Sequence, residues 1–139
     1  MRHLRNLVLV CSLLSAAAAL AETPRYHLLI QVSEDSTDKM KLALSQAKHV
    51  QDTLGRDNVE VEIVAYGPGV RTLRYYTPLD DELGEMFHRG VRIVVCEASL
   101  RSNKLRVSDM LRKINMSYVP SGMAEITVRQ SEGWAYAAP

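Results

Sequence analysis

Val91-Arg92-Ile93-Val94-Val95-Cys96-Glu97-Ala98-Ser99-Leu100-Arg101 is the stretch from which the rest of the chain can be read. The β-branched run Val91, Ile93, Val94 and Val95 predicts a buried central strand, and a helical segment begins where that run stops at Cys96. Cys96 therefore falls at the carboxyl end of a strand and beside a helix amino terminus. In open α/β sheets that edge is where ligands gather, and the free N–H groups of a helix start stabilise a thiolate. A free cysteine is also among the most commonly buried residue types and often only fills space. On the residues alone both readings stand.

Upstream of this stretch, Thr77-Pro78 predicts a helix start, with Thr77 as cap, Pro78 at the first helical position and Asp80, Asp81 and Glu82 in the first turn. Leu79, Leu83, Met86 and Phe87 supply its inward stripe, and His88-Arg89-Gly90 ends it. Before it, Arg71, Arg74, Tyr75 and Tyr76 read as an irregular connection. Tyr66-Gly67-Pro68-Gly69-Val70 reads as a sharp turn whose glycines let a backbone approach closely, which suits either a plain turn or the wall of a small anion or partner site. Val59 to Tyr66 is a strand whose first half alternates with Glu60 and Glu62, so it is expected to have a wetter face and to lie nearer the sheet edge. Met40, Ala43, Leu44, Ala47, Val50 and Leu54 recur at helical spacing after Asp35 or Ser36 as cap, and Gly55 closes that helix. His49 beside the stripe has no second ligand at helical spacing and reads as a surface or boundary histidine. Arg25 to Val32 is the first strand.

Downstream, Arg101, Lys104, Arg106, Arg112 and Lys113 make the chain locally basic. Charges within about a Debye length of the thiol would lower its pKa and attract anionic sulfur species. Val107, Met110, Leu111 and Ile114 keep helical spacing and predict a third helix there. Met116 to Val119 is a short strand, Ser121 caps a last helix over Met123 to Glu132, and Trp134 to Ala137 is a terminal strand.

The amino terminus reads as an export signal. Arg2 and Arg5 form a basic region, Leu7 to Leu14 is apolar, and Ala19-Leu20-Ala21 is a cleavage site. The apolar run is shorter than the ~20 residues that cross a bilayer, and no lipobox surrounds Cys11. Removing residues 1–21 from 139 leaves 118, enough for one domain over 22–139 that would be soluble in the periplasm and no longer tied to a membrane. Cleavage leaves 15 basic residues against 16 acidic ones, a balance that argues against nucleic acid as a partner. It also leaves Cys96 as the single thiol, so no internal disulfide can form.

The alternation β-α-β-α-β-α-β-α-β predicts a three-layer α/β/α domain on a five-stranded, mainly parallel sheet. A strand order of 2-1-3-4-5 would bring the loops after Val32 and Cys96 together at a switch point beside the Tyr66 turn. There is no G-x-S-x-G motif, no phosphate loop and no metal-ligand spacing, so a hydrolase reading is weak and neither a metal nor an organic cofactor is expected.

Cys96-Glu97-Ala98-Ser99-Leu100-Arg101 resembles the cysteine segment of the DsrE/TusD branch of the DsrE/DsrF-like family. Val119-Pro120-Ser121-Gly122-Met123-Ala124-Glu125 and Gln130-Ser131-Glu132-Gly133-Trp134-Ala135-Tyr136 resemble the ending of its exported members, and the Tyr66-Gly67-x-Gly69-Val70 turn is similar to theirs. The resemblance implies the same fold, a trimeric or hexameric homo-oligomer, and a cysteine that accepts sulfane sulfur as a persulfide and hands it to a donor or acceptor partner protein. Arg101 carries over from the family segment, whereas Ser102-Asn103-Lys104 departs from the Arg-Gly that usually follows. On this reading Cys96 is the nucleophile, Glu97 a proton shuttle or a solvated carboxylate, and Arg101, Ser99, Tyr66, Gly67 and Gly69 surround the thiol. The alternative is a non-catalytic oligomeric module that binds a small ligand or a protein, with Cys96 structural.

Overall fold

Strand and helix alternate along the chain as the hydrophobic pattern predicts. The computed structural model describes residues 23–139; the expected export signal, its cleavage after Ala21 and Cys11 lie outside the described residues. Five strands, β1 (Tyr26–Val32), β2 (Val59–Ala65), β3 (Arg92–Cys96), β4 (Ser117–Val119) and β5 (Ala135–Ala137), form one all-parallel sheet. The helices are α1 (Thr37–Leu54), α2 (Asp80–His88), α3 (Glu97–Ser102) and α4 (Gly122–Ser131).

Successive side chains of a strand point to opposite faces, and the two faces are covered differently. On one face Met40, Ala43, Leu44 and Ala47 of α1 and Leu83 and Met86 of α2 pack on Ile30, Val32, Val61, Ile63, Ile93 and Val95. On the other, Ile126 of α4 and Trp134 cover Leu29, Val64 and Val94. This is the expected three-layer α/β/α arrangement. Among the described residues no helix is long and apolar enough to cross a membrane.

The strand order is β4-β3-β2-β1-β5, which corrects the expected 2-1-3-4-5. The chain steps from β1 to β4 in one direction, and right-handed crossovers in one direction keep α1 and α2 on the same face. It then returns across the whole sheet from β4 to β5, and the same handedness places α4 on the opposite face. The connections leaving the carboxyl ends of the adjacent strands β3 and β4 thus go to opposite faces, so the switch point lies between β3 and β4, and β2 is the middle strand rather than one near the edge.

Three local expectations also change. The helix expected at Thr77 starts at Asp80, because the Thr77 hydroxyl accepts the Leu79 N–H at 3.3 Å and holds residues 77–79 as a turn. The expected Tyr66–Val70 turn continues as a 3-10 helix over Gly67–Leu73, and the connection is irregular only from Arg74 to Tyr76. No α-helix spans Val107 to Ile114; only a 3-10 turn, Val107–Asp109, forms there. Met110, Leu111 and Ile114 are buried all the same. Their backbone is drawn out along the preceding connection, with Leu111 N–H on Leu73 O at 2.9 Å, Tyr75 N–H on Asp109 O at 3.1 Å and an antiparallel bridge between Arg74 and Met110. His49 is exposed, as a surface histidine should be.

Candidate active site

Cys96 is the last residue of β3 and the N-cap of α3. Its side chain is 4% exposed, and its Sγ accepts the Ser99 N–H at 3.4 Å. The first residues of α3 and Gly122 at the start of α4 surround it. Burial alone would push the thiol pKa up, but hydrogen bonding from Ser99 and from the first-turn amides of α3 and α4 outweighs it and holds the group below its ordinary value. None of the donors is a cationic side chain, so the basic run downstream is not what shifts the thiol. Arg101, Lys104 and Arg106 are exposed, and Lys113 pairs with Asp80 and Asp81.

Two helix starts therefore converge on one sulfur. That of α4 comes close because residue 122 is glycine: a Cβ there would lie 2.9 Å from Tyr66 Cβ and 3.2 Å from Cys96 Cβ. Ser121 caps α4 by accepting the Ala124 N–H at 3.2 Å, and the Ala98 N–H reaches Pro120 O at 3.3 Å, which ties α3 to the same turn.

The Tyr66 turn closes the third side. Gly67, at φ +52°, donates its N–H to Ser99 Oγ at 2.7 Å. Gly69 lies against the end of β1, its N–H on Ser33 O at 3.2 Å. Tyr66, Gly67, Gly69, Cys96 and Ser99 are thus gathered at the carboxyl edge of the sheet, at the switch point between β3 and β4, where Cys96 pairs with Val119. Glu97 is half-buried and Arg101 exposed, and neither is among the groups that hydrogen-bond the thiol.

No pattern in the residue order marks the buried ionic cluster beneath α4. Glu62, expected on a wet face, is fully buried, with Arg92 Nη1 at 2.9 Å and Arg129 Nε at 3.3 Å. Glu125 accepts from Arg129 at 3.1 Å and lies 3.8 Å from Arg92. The Arg129 guanidinium also covers the Trp134 ring at 4.9 Å, and Trp134 lies 5.1 Å from His27. Since α4 carries Gly122 at one end and Arg129 toward the other, this cluster anchors the helix whose first turn holds the Cys96 thiol.

Burial pushes the Glu62 carboxyl up to about 7 from an ordinary 4.5; Arg92 and Arg129 pull it down, while Glu125 pushes it further up. Between those two pH values the folded chain holds a proton that the unfolded chain has released. The stabilisation from this group is therefore complete below pH 4.5 and is lost as the pH rises through 7. Glu62→Gln, which mimics the protonated acid, is expected to remove this slope, on the order of 2 kcal/mol across the window. Urea midpoints at pH 5 and pH 8 for both proteins measure it, and an unchanged slope in the variant would contradict the assignment.

A cleft of about 960 Å³ lies at the opposite edge of the sheet, among Gln51, Arg56, Asp57, His88 and Arg89. It contains no thiol, so the chemistry points to Cys96 instead. Among the described residues no three His, Cys, Asp or Glu side chains gather as a metal site.

The model of the DsrE/DsrF-like family matches residues 26–138. The solved structure of a protein of unknown function from Methanobacterium thermoautotrophicum is 32% identical, with 82% of this chain and 99% of that one covered and a TM-score of 0.75. A conserved protein of unknown function from Bacteroides thetaiotaomicron is 18% identical, with 81% of this chain and 94% of that one covered; its TM-score of 0.58 marks a shared fold alone. No curated protein matches the chain.

Proposed function

The chain belongs to the DsrE/DsrF-like family, whose membership suggests a sulfur-relay-type role, and from that premise we propose that Cys96 is a sulfur carrier which accepts sulfane sulfur and passes it on as a persulfide. The observation that supports this most is a thiol set where the starts of α3 and α4 meet, with the Ser99 N–H on its Sγ and its pKa held below the ordinary value. The thiolate is the attacking species in sulfur exchange. Cys96-S⁻ attacks the sulfane sulfur of a donor R-S-SH, the donor S–S bond breaks, R-S⁻ leaves and Cys96-S-SH forms. An acceptor thiolate then takes the outer sulfur and regenerates Cys96-S⁻. The sulfane sulfur is neither oxidised nor reduced overall. The same donors would stabilise negative charge on Cys96 Sγ each time it leaves.

The export signal read in residues 1–21 supports a periplasmic setting. Exposed Tyr75 and Tyr76, 65% and 57% accessible, support an interface with further copies or with a donor or acceptor protein. The burial of Cys96 is the one observation favouring the alternative, a non-catalytic binding module in which the residue only fills space.

Alkylation of folded protein across pH, followed by mass analysis after exposure to polysulfide, separates the two. A sulfur carrier is expected to show an apparent thiol pKa below the unperturbed ~8.5 and a sulfur adduct on Cys96 that a thiol acceptor removes. An unreactive thiol with no adduct would favour the binding module.

A further inference from the structure

Asn103 follows directly on α3, and its side chain makes three hydrogen bonds that the sulfur-carrier reading does not call for. Its Nδ2 donates to Gly67 O at 3.1 Å and to Ser99 O at 2.8 Å, while its Oδ1 accepts from Arg71 Nε at 2.9 Å. An amide side chain has two donor hydrogens and an acceptor oxygen, so this residue has both its donors and its acceptor engaged.

The bonds matter because of what they hold. The residue pinned by Asn103 through its carbonyl, Gly67, is also the one whose N–H enters Ser99 Oγ at 2.7 Å. Gly67, at a positive φ, has little steric restraint of its own. With the Gly67 N–H occupying one lone pair of Ser99 Oγ, the hydroxyl hydrogen is turned away from Gly67. Ser99 is only 8% exposed, and its own N–H donates to Cys96 Sγ at 3.4 Å, so a residue held by its carbonyl and by its hydroxyl presents its amide to the thiol.

We propose that Asn103, held by Arg71, is a positioning residue for Cys96: it holds Ser99 directly by its carbonyl and, through the Gly67 peptide, by its hydroxyl, and so sets the Ser99 N–H that donates to Sγ. The inference deepens the sulfur-carrier reading by naming what orients its thiol, but it concerns the state of the thiol and can be tested whether or not sulfur is carried. Asn103 does not touch Sγ; it acts through Ser99.

The test is the pH dependence of Cys96 alkylation in the wild type and in Asn103→Ala, Ser99→Ala and the double variant, with circular dichroism as the check on folding. Asn103→Leu, close in size but without donors, is the second variant should the alanine variant fold poorly. Asn103→Ala and Asn103→Leu are each expected to raise the apparent thiol pKa by about half to one unit. The alkylation rate at neutral pH then falls about two- to threefold, since lost thiolate outweighs the gain in intrinsic nucleophilicity. In the Ser99→Ala background, Asn103→Ala is expected to add less than it does alone, because the arm through Gly67 and the hydroxyl is already gone. An unchanged thiol pKa in both Asn103 variants, or a full additional shift in the double variant, would overturn the proposal. Absence of a persulfide in the wild type, by contrast, would overturn the sulfur-carrier reading and leave the thiol result standing.

Discussion

Cys96→Ser is expected to abolish sulfur loading altogether while leaving the fold in place. Serine is nearly the same size and its Oγ can accept the same N–H groups that converge on Sγ, so the stability cost should be about 1 kcal/mol. Its hydroxyl is not ionised near neutral pH and cannot hold a sulfane sulfur. Cys96 is the only cysteine among the described residues, so no neighbouring thiol can take over. Intact mass after polysulfide treatment, alongside thermal melting, measures both halves of this expectation. A variant that still loads and transfers sulfur would sink the proposed role; one that fails to fold would show that the buried thiol is chiefly structural.

Gly69→Ala is expected to destabilise the protein by about 3 kcal/mol or more, well beyond an ordinary surface substitution. A Cβ at this position would sit 2.2 Å from Val32 O and 2.8 Å from Val32 C. Those are backbone atoms at the end of β1, and Val32 O is already held by the Tyr66 N–H at 3.1 Å, so the clash cannot be relieved by turning a side chain. The turn itself has to move. Gly67 would move with it, loosening the bond from its N–H to Ser99 Oγ, so slower alkylation of Cys96 should accompany the lost stability. A fall in melting temperature of roughly 10 °C is the expected scale for a domain of this size. A change of less than about 1 kcal/mol would mean that β1 and the turn are less rigidly joined than their hydrogen bonds imply.

Much of this arrangement is legible in the amino-acid order. Ser36, Gly55 and the Met40–Ala47 stripe define α1, and the β-branched run to Cys96 defines β3, because caps and periodicity are local properties. The Gly67–Gly69 turn announces a close approach without saying to what; the partners, Ser33 and Ser99, are far away in sequence. Glu62 is misread for a related reason. Alternating Glu60 and Glu62 look solvated until α4 is laid over that face with Arg129, and until Arg92 of the neighbouring strand is brought alongside. The spacing of Val107, Met110, Leu111 and Ile114 marks burial correctly but not conformation, since a loop paired with residues 73–75 buries Met110, Leu111 and Ile114 equally well. Gly122 gives no local sign that it abuts Cys96, because that contact depends on which face α4 occupies.

The return of the chain across the sheet also has a kinetic side. Leu28 of β1 pairs with Ala135 of β5, 107 residues further along. Strands β1 to β4 can assemble in order of synthesis, each new strand finding its neighbour already present. Until β5 arrives, the outer edge of β1 keeps its backbone groups unpaired, and the face carrying Leu29, Val64 and Val94 has no Trp134 over it. The last contacts to form are thus among the most distant in sequence, the circumstance in which loop-closure entropy slows folding and open strand edges invite association with other chains. For a nascent molecule, the vulnerable interval ends only when the segment from Trp134 to Ala137 reaches the sheet.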